Sequence, residues 1–117
     1  MFDILMRETK ADLVTYEMDV YWVYITGQDP AKLLAKYPDR WSLLHIKDML
    51  KDFARGTHTG GSPATAKVAV GTGQINWSEV LAAAQRIGVK HYFLEDETTA
   101  PLRSIPESLQ YLRALKL

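Results

Sequence analysis

Val14-Thr15-Tyr16-Glu17-Met18-Asp19, Trp41-Ser42-Leu43-Leu44-His45-Ile46-Lys47-Asp48 and Val89-Lys90-His91-Tyr92-Phe93-Leu94-Glu95 are three short apolar runs, each ending on a side chain able to bind a divalent metal. A helix-like segment follows each run, so the chain reads β-α-β-α-β-α. That order predicts an α/β fold with a parallel sheet and right-handed crossovers. In such sheets the carboxyl ends of the strands form one rim, and binding sites are built on it. Asp19, His45 and Glu95 are therefore expected to converge from neighbouring strands. Two carboxylates and one imidazole suit Mn, Mg, Co or Zn better than a soft, thiolate-loving ion.

Working outward, the first strand is expected over about 13–23, where Val, Thr, Tyr and Trp favour β structure and the run is almost continuously apolar. Residues 2–9 read as the tail of an amphipathic helix. Asp29-Pro30 opens a short helix, with Asp as the N-cap and Pro at the first helical position, and Pro38 stops it. The second strand is expected at about 41–48. An irregular stretch with many glycines then runs from Lys51 to Ile75, and loops of this length in a compact domain are commonly functional. Asn76-Trp77-Ser78-Glu79 looks like a capping box, Gly88 ends the helix it starts, and the third strand follows at about 90–96. Ser104-Ile105-Pro106-Glu107 is expected to open the last helix, with Leu109, Leu112 and Leu115 or Leu117 facing inward.

Strand alternation puts Glu17 with Asp19, His45 with Lys47, and Glu95 with Glu97 on shared faces. If those faces are the same side, six ionisable groups line one cavity and need a metal, each other or water. Taken singly, each reads more readily as a polar residue where a strand meets its loop; three at equivalent strand ends favour a site. Lys47 and Arg40 are candidate partners for a substrate oxygen or phosphate, Arg40 reading as readily as a surface charge. Trp22, with Tyr21 and Trp77, is of a type that walls an apolar pocket, although aromatics in a small domain more often fill its core. His58 reads as a loop histidine, and His91 sits at the strand end away from the rim. Val70-Gly71-Thr72-Gly73 could present backbone amides to an anion, but it lacks the strand and third glycine of a dinucleotide fingerprint.

The 117 residues suggest a single domain, 1–117, and fourteen basic residues balance fourteen acidic ones. A neutral chain lacks the electrostatic footprint of a nucleic-acid binder. No apolar stretch is long enough to span a membrane, charges interrupt the amino end where a signal peptide needs an apolar core, and no cysteine is present. A cytoplasmic protein is the expectation.

The strings Glu17-Met18-Asp19-Val20-Tyr21-Trp22, Gly27-Gln28-Asp29-Pro30, His45-Ile46-Lys47-Asp48, Val70-Gly71-Thr72-Gly73 and Phe93-Leu94-Glu95 occur in a familiar order. With the Ser108-Leu109-Gln110-Tyr111-Leu112 tail, they resemble the carboxyl-terminal part of the sugar phosphate isomerase/epimerase family, a xylose-isomerase-like TIM barrel. The resemblance runs from Phe2 to Leu117. It implies that Asp19, His45 and Glu95 stand where that family carries metal ligands on its last three strands. It also implies a metal that polarises a carbonyl and hydroxyl pair while a carboxylate moves a proton through an enediolate. Glu95 fits as ligand and base, with Lys47 as its catalytic companion. The implied substrate is a sugar or sugar phosphate, for which Trp22 and Arg40 are the candidate contacts.

A complete barrel needs eight strands and about 250 residues, whereas these runs supply the equivalent of its last three strand-helix units. The family's first metal-binding glutamate belongs to an earlier strand, and only Glu17, one layer deeper, points the same way. The chain is thus expected to be an incomplete barrel, inactive alone. Open sheet edges and an uncovered apolar face predict a homo-oligomer or a complementing half-barrel. The alternative is a non-catalytic, self-associating fragment with a vestigial metal site.

Overall fold

The computed structural model describes residues 2–56 and 60–117. His58 lies outside the described residues. Along the chain come α1 (Phe2–Glu8), β1 (Tyr16–Asp19), α2 (Val20–Ile25), α3 (Pro30–Lys36), β2 (Trp41–Ile46), β3 (Asp48–Met49), a 3-10 turn (Ala64–Ala66), β4 (Lys67–Val68), α4 (Trp77–Arg86), β5 (His91–Leu94) and α5 (Pro101–Ala114).

Strands β1, β2 and β5 form a parallel sheet in that order. The fold is therefore mixed α/β, as the alternating pattern requires. Asp19 lies opposite His45, and His45 opposite Phe93, so the strand ends are in step. Successive side chains alternate between the faces of a strand. Met18, Leu44 and Ile46 turn toward the helices and are buried in the core with Leu34, Val80, Leu81 and Ala84. Glu17, His45 and Phe93 share the other face and stay partly or largely exposed.

The first strand is shorter than its composition suggests. It stops at Asp19, and Val20-Tyr21-Trp22-Val23-Tyr24-Ile25 is helical. The Asp19 carboxylate accepts the Trp22 amide at 3.1 Å, capping the helix from its N-cap position. The cap, together with burial of Val20, Tyr21 and Ile25, overrides the β preference of those residues. The second run also divides. It leaves the main sheet after Ile46, and Asp48–Met49 pairs antiparallel with Lys67–Val68 from within the glycine-rich stretch.

Helix starts follow the local chemistry. The Asp29 carboxylate accepts the Lys32 amide at 3.2 Å, with Pro30 at the first position. Asn76 and Glu79 bond reciprocally, side chain to amide and side chain to side chain. The last helix begins at Pro101 rather than Ser104, because Pro101 takes the first position, where a missing amide costs nothing. Pro106 lies inside the helix, and Ser104 and Ser108 are its buried residues; Leu109 is exposed and Leu112 and Leu115 only half-buried. Among the described residues no helix is long and apolar enough to cross a membrane.

Candidate metal centre

Asp19, His45 and Glu95 each offer one ligand atom, and those atoms lie within 4.8 Å of one another. They come from the ends of β1 and β2 and from just beyond β5, all on the exposed face of the sheet. His45 Nδ1 stands 3.2 Å from Glu95 Oε2 and 3.8 Å from Asp19 Oδ2. Asp19 is held by its helix: Oδ1 accepts the Trp22 amide, and Oδ2 faces the cluster. Burial pushes the Asp19 carboxyl above its ordinary range, and the Trp22 amide and Lys47 only partly offset that.

Lys47 sits at the centre of the carboxylates. Its Nζ lies 2.8 Å from Glu95 Oε2, 2.7 Å from Glu97 Oε2 and 3.6 Å from Asp19 Oδ2, and the side chain is only 3% exposed. Burial works to lower its pKa, but the hydrogen bonds to Glu95 and Glu97 outweigh it and the ammonium is stabilised. Lys47 is thus a donor and a fixed positive charge rather than a base. Glu97 also bonds Lys67 of β4 at 3.1 Å, and these two lysines hold its carboxyl below the usual range. The antiparallel hairpin is thereby tied to the rim.

Glu17 joins from the same face of β1, with Oε1 2.7 Å from His45 Nε2, on the far side of the ring from Asp19 and Glu95. Sequence alternation put Glu17 on this face but could not say which imidazole nitrogen it meets. The Phe93 ring stands edge-on to His45 at 6.1 Å.

The structure does not bring Arg40 to this cluster. Arg40 precedes β2 and lies at the opposite end of the sheet, where its guanidinium donates to the Met6 and Val14 carbonyls and to Thr9 Oγ1 and is 7% exposed. A buried guanidinium with these partners fastens α1 to the sheet. Trp22 gives its amide to Asp19, while its ring packs edge-on against Tyr21 at 5.4 Å. The ring nearer the ammonium is that of Tyr21, 5.9 Å from Lys47 Nζ. Trp77 is fully buried, and His91 begins β5 away from the rim.

The amides of the Gly-x-Gly segment are already taken by a carboxylate of the chain. Asp48 Oδ2 accepts from Gly71 (2.9 Å) and Gly73 (3.1 Å), and Oδ1 accepts from Met49 (2.7 Å) and Ile75 (3.3 Å). Burial raises the Asp48 carboxyl, against the pull of the Gly71, Met49 and Ile75 amides. Sequence reading singled out the glycines and placed Asp48 at the end of the second run, but not that the two meet.

No family model matches the chain, and no curated protein matches it. Solved structures do. A crystal structure of a sugar phosphate isomerase/epimerase from Parabacteroides distasonis matches with a TM-score of 0.73 and 28% identity, over 96% of this chain and 35% of that one. A second sugar phosphate isomerase/epimerase structure from the same organism gives 0.65 and 27%, over 97% and 36%. The IOLI protein, solved with a binding zinc atom, shares the fold at 0.62 and 22% identity, over 86% and 35%. The chain spans about a third of the length of these proteins. In fold and sequence the chain is thus similar to about a third of the length of the sugar phosphate isomerase/epimerases.

Proposed function

We propose that the chain carries the metal-binding and proton-transfer part of a sugar or sugar phosphate isomerase or epimerase, its three βα units being the last three of the barrel, and that it turns over no sugar alone. The observation that carries this reading is the convergence of Asp19, His45 and Glu95 on one rim with ligand atoms within 4.8 Å. The names of the Parabacteroides proteins and the zinc of IOLI support it. The donor set fits the group: two carboxylate oxygens and an imidazole nitrogen, held on separate strands, are ligands for Mn, Mg, Co or Zn. When bound, such an ion polarises a carbonyl and its neighbouring hydroxyl.

The chain's own residues would do most of the rest. For isomerisation the Glu95 carboxylate would take the proton from the hydroxyl-bearing carbon beside the carbonyl and return it to the former carbonyl carbon, the hydroxyl proton passing to the former carbonyl oxygen. For epimerisation it would take the proton from one face, and an acid from outside this chain would supply one to the opposite face. The Lys47 ammonium donates a hydrogen bond to the oxygen on which charge develops, after exchanging it for one of its carboxylate partners. Asp19, locked by its helix cap, keeps the rim in shape. Trp22, beside Tyr21, is the proposed sugar-facing surface. Arg40, fastened to α1, serves the fold.

Titration calorimetry with zinc or manganese chloride tests the site. We expect weak binding at one site per chain, because an incomplete scaffold pre-organises its ligands poorly. His45→Ala abolishes the binding and His91→Ala leaves it unchanged. Absence of heat in the parent chain, or heat that survives His45→Ala, defeats the reading. The alternative, a non-catalytic self-associating fragment, is favoured by the exposed Tyr92 and Phe93 on β5, and it predicts association without metal binding.

A further inference from the structure

His45 is approached by acidic groups on both ring nitrogens, and the two approaches differ. On one side, Nδ1 faces Glu95 and Asp19 at 3.2 and 3.8 Å. On the other, Nε2 meets a single carboxylate oxygen, Glu17 Oε1, at 2.7 Å. Glu95 is already occupied by Lys47 at 2.8 Å, a better contact than the one it makes with His45. Once the ring is neutral it carries one proton, and the shorter and less contested acceptor is Glu17. A histidine that ligates a metal through one nitrogen is commonly fixed by a carboxylate on the other.

We propose that Glu17 is the positioning residue of this site: its carboxylate accepts the Nε2 proton of His45 and so presents the Nδ1 lone pair to the side where Asp19 and Glu95 converge. Glu17 is then not a substitute for a missing fourth ligand, because it lies across the imidazole from the other donors. Strand geometry makes the role available. Asp19 is level with His45 across the ladder, and Glu17, two residues earlier on the same face, reaches it diagonally. The proposal rests on the metal reading for its purpose, but its central claim about the ring is measurable without metal.

The experiment is nitrogen-15 NMR of the His45 ring in the metal-free full chain, at a pH above which its nitrogen resonances no longer move, followed by zinc titration. We expect Nε2 protonated and Nδ1 bare, with zinc shifting the Nδ1 resonance. Glu17→Ala should mix the two tautomers and weaken zinc binding by about ten- to hundred-fold. Glu17→Gln, whose amide oxygen still accepts, should keep the tautomer and most of the affinity. Thermal melts of both variants check that the fold survives. A proton on Nδ1 in the parent, zinc arriving at Nε2, or parent-like zinc affinity in a folded Glu17→Ala chain overturns the proposal. If the tautomer is as stated but the parent takes up no zinc, the orienting role stands and the metal reading above is what fails.

Discussion

Asp48 shows how much one side chain can hold together. Four backbone amides, from Met49, Gly71, Gly73 and Ile75, close on its carboxylate, and it is fully buried. Asp48→Asn would turn an amide group toward those donors, so we expect a loss of roughly 3 kcal/mol, read as a lower denaturation midpoint. Gly73 is needed for the same reason: a Cβ there would stand 2.2 Å from the Met49 carbonyl oxygen and 2.3 Å from Asp48 Oδ1. Gly73→Ala should cost at least about 2 kcal/mol; an unchanged midpoint would mean that the loop can part from Asp48. The composition of Val70–Gly73 gave warning of a nest of amides. Its occupant was hidden, because Asp48 lies 23 residues from Gly71 in the chain and only folding joins them.

At the scale of elements, α1 and α5 are held by polar pins. Asp3 accepts from the Tyr37 hydroxyl and from Lys36 Nζ, which draws its carboxyl below the ordinary 3.8. A carboxyl with a lowered native value binds fewer protons folded than unfolded. Its contribution is therefore complete above 3.8 and is lost as pH falls through the native value. Acidification should loosen α1, seen in NMR as loss of the Phe2 ring's stacking on Trp41, and Asp3→Asn should flatten that pH dependence. In α5, Ser108 Oγ accepts the Val70 amide at 2.8 Å and donates to the Ser104 carbonyl at 2.7 Å. Ser108→Ala leaves the Val70 amide orphaned, at a cost of about 1–3 kcal/mol, which chemical denaturation would measure. Helix starts at Asp29 and Asn76 were legible because a cap and its amide lie three residues apart. The inward face of α5 was legible only in part: Leu112 and Leu115 pack against the core as expected, whereas Leu109 is exposed and the buried positions are Ser104 and Ser108, which bond to other segments.

For the whole molecule, the sheet exposes β1 and β5 as edges, and Phe93 is 48% and Tyr92 37% exposed. Unpaired edges beside exposed aromatics favour association. Light scattering at micromolar concentration should therefore give a mass well above the 13.3 kDa of one chain. Phe93→Lys should shift the population toward that single-chain mass. A parent chain that remains a monomer contradicts the prediction. The sequence by itself determined the alternation of strands and helices, the pairing of Glu17 with Asp19 and of His45 with Lys47 on one face of each strand, and the helix starts at Asp29 and Asn76, because each depends on residues a few positions apart. Tertiary structure alone decided where β1 turns into α2, that Arg40 fastens α1 rather than reaching the rim, which nitrogen of His45 meets Glu17, and what fills the glycine nest. Those outcomes follow from register between strands and from burial, which bring together groups tens of residues apart and override local preference.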